Sequence, residues 1–134
     1  MGTKLLVLDR NRNVRAFLQR ELLREGYEVV LVRNLLELRE QLKKDLTFDL
    51  LIVDVDVSDS NTVQILSWIS GNRIPVVIHS NLPEHWVEEY IVKNMPGEAQ
   101  TPIVIVEKEN VEELKKVIKQ MIPVASPEFG EFAD

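Results

Sequence analysis

Residues 48–54 read Phe48-Asp49-Leu50-Leu51-Ile52-Val53-Asp54, an unbroken apolar run that stops on a carboxylate. Apolar and polar residues do not alternate in Leu50–Val53, so a strand here must be covered on both faces. Strands of that kind belong to parallel sheets with helices packed on either side. The same signature recurs along the chain. Lys4–Leu8 is apolar and ends at Asp9, Pro75–Ile78 ends at His79-Ser80, and Ile103–Val106 ends at Glu107-Lys108. Tyr27–Val32, rich in β-branched residues, ends at Arg33-Asn34.

Between these runs the apolar period changes from continuous to helical. Asn11–Glu25 places Val14, Phe17, Leu18 and Leu22 on one face, and Gly26 is a stop signal. Asn34 with Glu37 forms a capping box that opens a helix through Lys43 or Lys44, its core face built from Leu35, Leu38 and Leu42. Val63–Ser70 is a short helix on Val63, Leu66 and Ile69. Pro83–Asn94 is another, with Trp86, Tyr90, Val87 and Ile91 in two apolar rows. Trp86 and Tyr90 read more readily as core or half-buried than as partner surface. Asn110 with Glu113 opens the last helix, Asn110–Met121, whose inward face is Leu114, Val117, Ile118 and Met121. Five strands alternating with five helices predict a doubly wound, three-layer α/β sandwich. Asp56–Thr62 and Pro96–Thr101 read as loops. Residues 1–122 form the expected domain, and 123–134 a tail or linker without periodicity.

Composition narrows the function. The chain has 134 residues, of which 45% are hydrophobic and 28% charged, as expected for one globular domain. Its net charge of −6 disfavours phosphate-backbone contacts with nucleic acid and a membrane-surface role. No apolar stretch suits a membrane span and MGTKLLVLDR lacks signal-peptide form, so a cytoplasmic location is expected. The absence of cysteine excludes disulfides, thiol catalysis and Cys-based zinc sites. His79 and His85 are too few for a multi-His metal site and read as core or solvated residues.

In an open parallel sheet, ligands bind beyond the carboxyl ends of the strands. Those ends carry Asp9-Arg10, Arg33-Asn34, Asp54-Val55-Asp56, Ser80-Asn81 and Glu107-Lys108. The order and spacing of these residues resemble the receiver domain of two-component response regulators, over about residues 3–122. Four stretches carry the likeness: Lys4–Arg15, Phe48–Asp54, Pro75–Ser80 and Val111–Leu114. The resemblance implies a CheY-like fold with strand order 2-1-3-4-5. It further implies Asp54 as phosphoacceptor, Ser80 as switch hydroxyl, and Asp9, Asp54 and the main chain of Asp56 as ligands of Mg²⁺. A histidine kinase or phosphotransfer protein is the implied phosphodonor. Homodimerisation through the face of helix 4, strand 5 and helix 5 is the implied assembly.

The sequence departs from the family at the site. Arg10 stands where a second acid is usual, which removes a metal ligand and adds a repelling charge. The family lysine aligns with Glu107, Lys108 falls one residue late, and the proline that follows is missing. An atypical receiver lacking its lysine, with a weakened Mg²⁺ site, is therefore expected. Arg10 is a candidate charge substitute that pairs with one or both neighbouring aspartates. The chain then either accepts phosphoryl on Asp54 or acts as a degenerate receiver; the alternative is a phosphorylation-independent interaction module. A catalytic reading competes, since Asp54-Val55-Asp56-Val57-Ser58 resembles the nucleophile motif of haloacid dehalogenase-type phosphatases. The run lies late in the chain for that family and no acidic pair completes it, so a non-enzymatic domain is expected. No Gly-rich phosphate loop or dinucleotide fingerprint is present.

Overall fold

A computed structural model of the chain describes residues 2–45, 47–56, 61–95, 97–98 and 100–122. The tail read over 123–134, and the loop residues 57–60, 96 and 99, lie outside the described residues. Strands β1 (Lys4–Leu8), β2 (Glu28–Val32), β3 (Leu50–Asp54), β4 (Val76–Ser80) and β5 (Ile103–Glu107) alternate with five helices. These are α1 (Arg12–Arg24), α2 (Leu35–Lys44), α3 (Thr62–Ser70), α4 (Glu84–Asn94) and α5 (Val111–Met121). All pairings are parallel and the order is β2-β1-β3-β4-β5.

The continuous apolar runs are explained by the two layers they feed. Leu51 and Val53 of β3 point into a core shared with Leu38 of α2, Leu66 and Ile69 of α3, and Val87 of α4. Leu50 and Ile52 point the other way, onto Leu18 and Leu22 of α1 and Leu114, Val117 and Ile118 of α5. Successive residues of a strand face opposite sides, so a strand covered twice has no polar face to show. All four of these β3 residues are at most 1% exposed.

Helix starts follow their caps. Asn11 Oδ1 accepts from the amides of Asn13 and Val14 at 2.8 and 3.2 Å, and Asn110 Oδ1 from that of Glu113 at 3.0 Å. Asn34 caps α2 through the amide of Glu37, whose carboxylate accepts in turn from the amide of Arg33 rather than from Asn34 itself. Gly26 adopts φ +91°, the left-handed conformation that lets α1 turn directly into β2.

Two aromatic and imidazole readings resolve differently. Trp86 is 60% exposed, against the core or half-buried role expected from its spacing, while Val87 takes the buried position beside it. Tyr90 and Ile91 pack at the edge of the core. His79 is buried within β4.

Candidate functional site

The register sets the site. Leu8 pairs with Val32 on one side and Val53 on the other, so Asp9 emerges between two strand ends and beside Asp54. Asp54 pairs with His79, and Ser80 with Glu107, so the ends of β1, β3, β4 and β5 stand side by side. Asp9, Arg10, Asp54, Asp56, Ser80 and Lys108 line one cleft of about 560 Å³.

Lys108 corrects the expectation of a missing lysine. Its Nζ lies 2.8 Å from Asp54 Oδ1 and 2.9 Å from Asp9 Oδ2, bridging two carboxylates that are themselves nearly out of solvent. The Asp9 contact is an ion pair whose alignment falls short of a hydrogen bond. Burial works against the ammonium charge, but pairing with Asp54 and Asp9 outweighs it and holds Lys108 above its ordinary pKa. Glu107, which the alignment placed here, turns outward, and its carboxylate accepts from the Glu84 amide at the start of α4. The Lys108 amide then bonds the Ser80 carbonyl at 2.8 Å, so the chain leaves β5 one residue later than the family spacing suggests. The one signal for this in the sequence is a lone cation between Glu107 and Glu109 at a strand end.

The remaining site residues are held from several directions. Asp9 Oδ1 accepts from the Asn11 amide at 2.8 Å, and the Asp9 carbonyl from Arg15 at 2.7 Å. Ser80 is fully buried, donates to the Val55 carbonyl at 3.2 Å and accepts from the Leu82 amide at 3.1 Å. Arg10 turns into the cleft. Its guanidinium pairs with the Asp56 carboxylate, its Nε lies 3.8 Å from Asp54 Oδ2, and its amide is 3.5 Å from the same oxygen. The Asp56 carbonyl accepts from the Thr62 hydroxyl at the start of α3. Among the described residues, neither ring nitrogen of the buried His79 finds a hydrogen-bond partner. Burial first, then the nearby Lys108, pushes its pKa down to about 4 against the pull of Asp54.

These residues do not suit the divalent cation that the receiver resemblance implies. Magnesium takes hard oxygens in octahedral geometry, and the resemblance assigns it Asp9, Asp54 and the main chain of Asp56. Here Asp9 and Asp54 are bridged by an ammonium, the Asp56 carbonyl is engaged by Thr62, and a guanidinium stands where an acid would be. Among the described residues no three His, Cys, Asp or Glu side chains gather as a metal site. The competing phosphatase motif falls only partly on the described residues. Asp56, the acid that motif needs for proton donation, is paired with Arg10, and Ser58 lies outside the described residues.

No protein-family model and no curated protein matches the sequence. Solved structures do resemble the fold. The response regulator TrrA of Thermotoga maritima, determined in complex with Mg²⁺–BeF, superposes with a TM-score of 0.70 at 21% identity, over 89% of this chain and 98% of that one. A response regulator receiver protein from Burkholderia phymatum gives a TM-score of 0.73 at 19% identity, over 94% and 99%. An orphan response regulator of H. pylori gives 0.66 at 16%, over 90% and 96%. With the strand order, the crevice and the bridging lysine in hand, the chain has the fold of a response-regulator receiver domain.

Proposed function

We propose that the chain is a receiver module of a two-component phosphorelay, with Asp54 as the residue that takes the phosphoryl group. The observation that carries this reading is Lys108 Nζ set between Asp9 and Asp54, with the Ser80 hydroxyl in the same cleft. A phosphoryl group on Asp54 requires a cation for its developing charge and a hydroxyl for one of its oxygens. Lys108 and Ser80, both lining the cleft with Asp54, support that reading. In the step, an Asp54 oxygen attacks the phosphorus of an N-phosphorylated histidine on a kinase or phosphotransfer protein. The P–N bond breaks, its electron pair stays on the imidazole, and an acyl phosphate forms on Asp54. Ser80 then exchanges the Val55 carbonyl for a phosphoryl oxygen, and that exchange moves the loop between β4 and α4. The group remains on the protein, so the role is signalling rather than turnover. The output goes to an attached or partner domain in the cytoplasm, and the charge of −6 argues against nucleic acid binding by this domain.

Labelling by a small N-phosphorylated donor tests the reading. One phosphoryl group per chain is expected on the wild type and none on Asp54→Asn; label retained by Asp54→Asn would refute it. A second reading, a phosphorylation-independent interaction module, is favoured by one observation, the Arg10 guanidinium on Asp56 beside Asp54. Wild type that takes no label from any donor yet binds a partner module equally well with Asp54→Asn would favour it over the first. Self-association belongs to the same proposal. The exposed side of α4, with Trp86 and Val92, and the cleft that Ile91, Met95, Ile103 and Ile105 line against β5, are what a second copy would cover.

A further inference from the structure

We infer that Arg10 is the resident cation of this site, so that the cleft receives a phosphoryl-type oxyanion on Asp54 without a divalent metal. The inference rests on the phosphoacceptor reading of Asp54 and specifies how that site is neutralised.

The geometry divides the work between two side chains. Lys108 faces Oδ1 of Asp54 at 2.8 Å, and Arg10 faces Oδ2 with both its amide, at 3.5 Å, and its Nε, at 3.8 Å. Each oxygen of the acceptor therefore has its own cation. The two differ in how firmly they are held. The Lys108 side chain is 9% exposed, whereas that of Arg10 is 52% exposed and rests on Asp56 at the rim. A rim pair in water is weak, so the guanidinium can leave Asp56 at little cost. A phosphoryl group on Asp54 offers it a better partner, because a planar fork of donors matches two oxygens of such a group. Arg10 follows the end of β1 and Asp56 follows the end of β3, so this exchange unties one strand end from the other.

Charge arithmetic points the same way. Among the described residues, Asp9, Asp54 and Asp56 face Lys108 and Arg10, which leaves one net negative charge. An acid at position 10 would leave three, enough to attract a divalent ion strongly. One residue thus decides between a metal-filled and a metal-free site.

The test is a swap of metal requirement between wild type and Arg10→Asp, with Arg10→Gln as the variant that adds no charge. Magnesium binding is read by calorimetry with the metal alone. Occupation of Asp54 is read by fluorine NMR of beryllofluoride in EDTA and in Mg²⁺. Wild type is expected to give no saturable heat with millimolar Mg²⁺ and to show bound beryllofluoride in EDTA. Arg10→Asp is expected to gain at least about tenfold in Mg²⁺ affinity and to bind the mimic only with Mg²⁺. Arg10→Gln should lose the mimic in EDTA without matching the metal affinity of Arg10→Asp. Wild type that binds Mg²⁺ tightly, or that takes the mimic only with metal, overturns the inference. If no protein takes the mimic under any condition, the phosphoacceptor reading fails; the magnesium titration still reports whether Arg10 keeps the metal out.

Discussion

Lys108 sits among groups that cannot do without it. Asp9 is 1% exposed and the Asp54 side chain 9%, so removing the ammonium strands two carboxylates away from water and beside each other. Breaking one partner of a buried ion pair typically costs about 3–5 kcal/mol. Lys108→Met is therefore expected to lower stability by about 3 kcal/mol in urea titrations at neutral pH, with Arg10 still covering part of Asp54. A loss below 0.5 kcal/mol, the ordinary scatter of surface changes, would show that solvent already screens the site. His79 makes a second prediction with a definite sign. Its folded pKa of about 4 lies below the unfolded value of 6.5, so between those values the unfolded chain binds the proton and the folded one does not. Its contribution is therefore in place above pH 6.5 and is lost as pH falls toward 4, by about 3 kcal/mol in all. His79→Val should flatten the stability profile in that window, and an unchanged slope would show that another group carries it.

At the level of elements, the loop from β1 to α1 does two jobs with three residues. Asp9 and Arg10 enter the cleft, and Asn11 caps α1 while its amide holds Asp9 Oδ1. Loss of an N-cap costs about 1 kcal/mol. Asn11→Ala should lower stability by that amount and speed hydrogen exchange at the amides of Asn13 and Val14; unchanged exchange there would mean that water replaces the cap. Several helices were legible because they carry a cap or a stop in their own sequence, as with Asn34, Asn110 and Gly26. The exposure of Trp86 was not legible. Period places residues on a face, but which face a helix presents to the sheet depends on neighbouring strands. With 60% of Trp86 in solvent, Trp86→Ala should change stability by less than about 0.5 kcal/mol. A larger loss in thermal melts would mean that the indole is covered in solution.

For the whole molecule, the proposed pairing of copies predicts concentration-dependent sedimentation that is lost in Val92→Lys. Val92 is 82% exposed in the single chain, so the change leaves folding intact and bears only on association. A single monomeric species at all concentrations, with and without the phosphoryl mimic, would exclude that assembly. The sequence by itself determined the architecture. Uniform apolarity in Leu5–Leu8 and Leu50–Val53 leaves no solvated face, which forces a parallel sheet between two helical layers. It also determined which strand ends carry Asp9, Asp54 and Ser80, because the apolar runs stop there. Tertiary structure alone decided which cation reaches them. Lys108 and Glu107 are neighbours in the chain, and only the register of β5 against β4 sends one onto two aspartates and the other to the start of α4. It likewise decided that Arg10 lies over Asp54 and Asp56 rather than pointing away from them, because that placement depends on two strand ends 44 residues apart meeting side by side. Spacing along a chain specifies where a side chain starts, and packing across the sheet specifies what it meets.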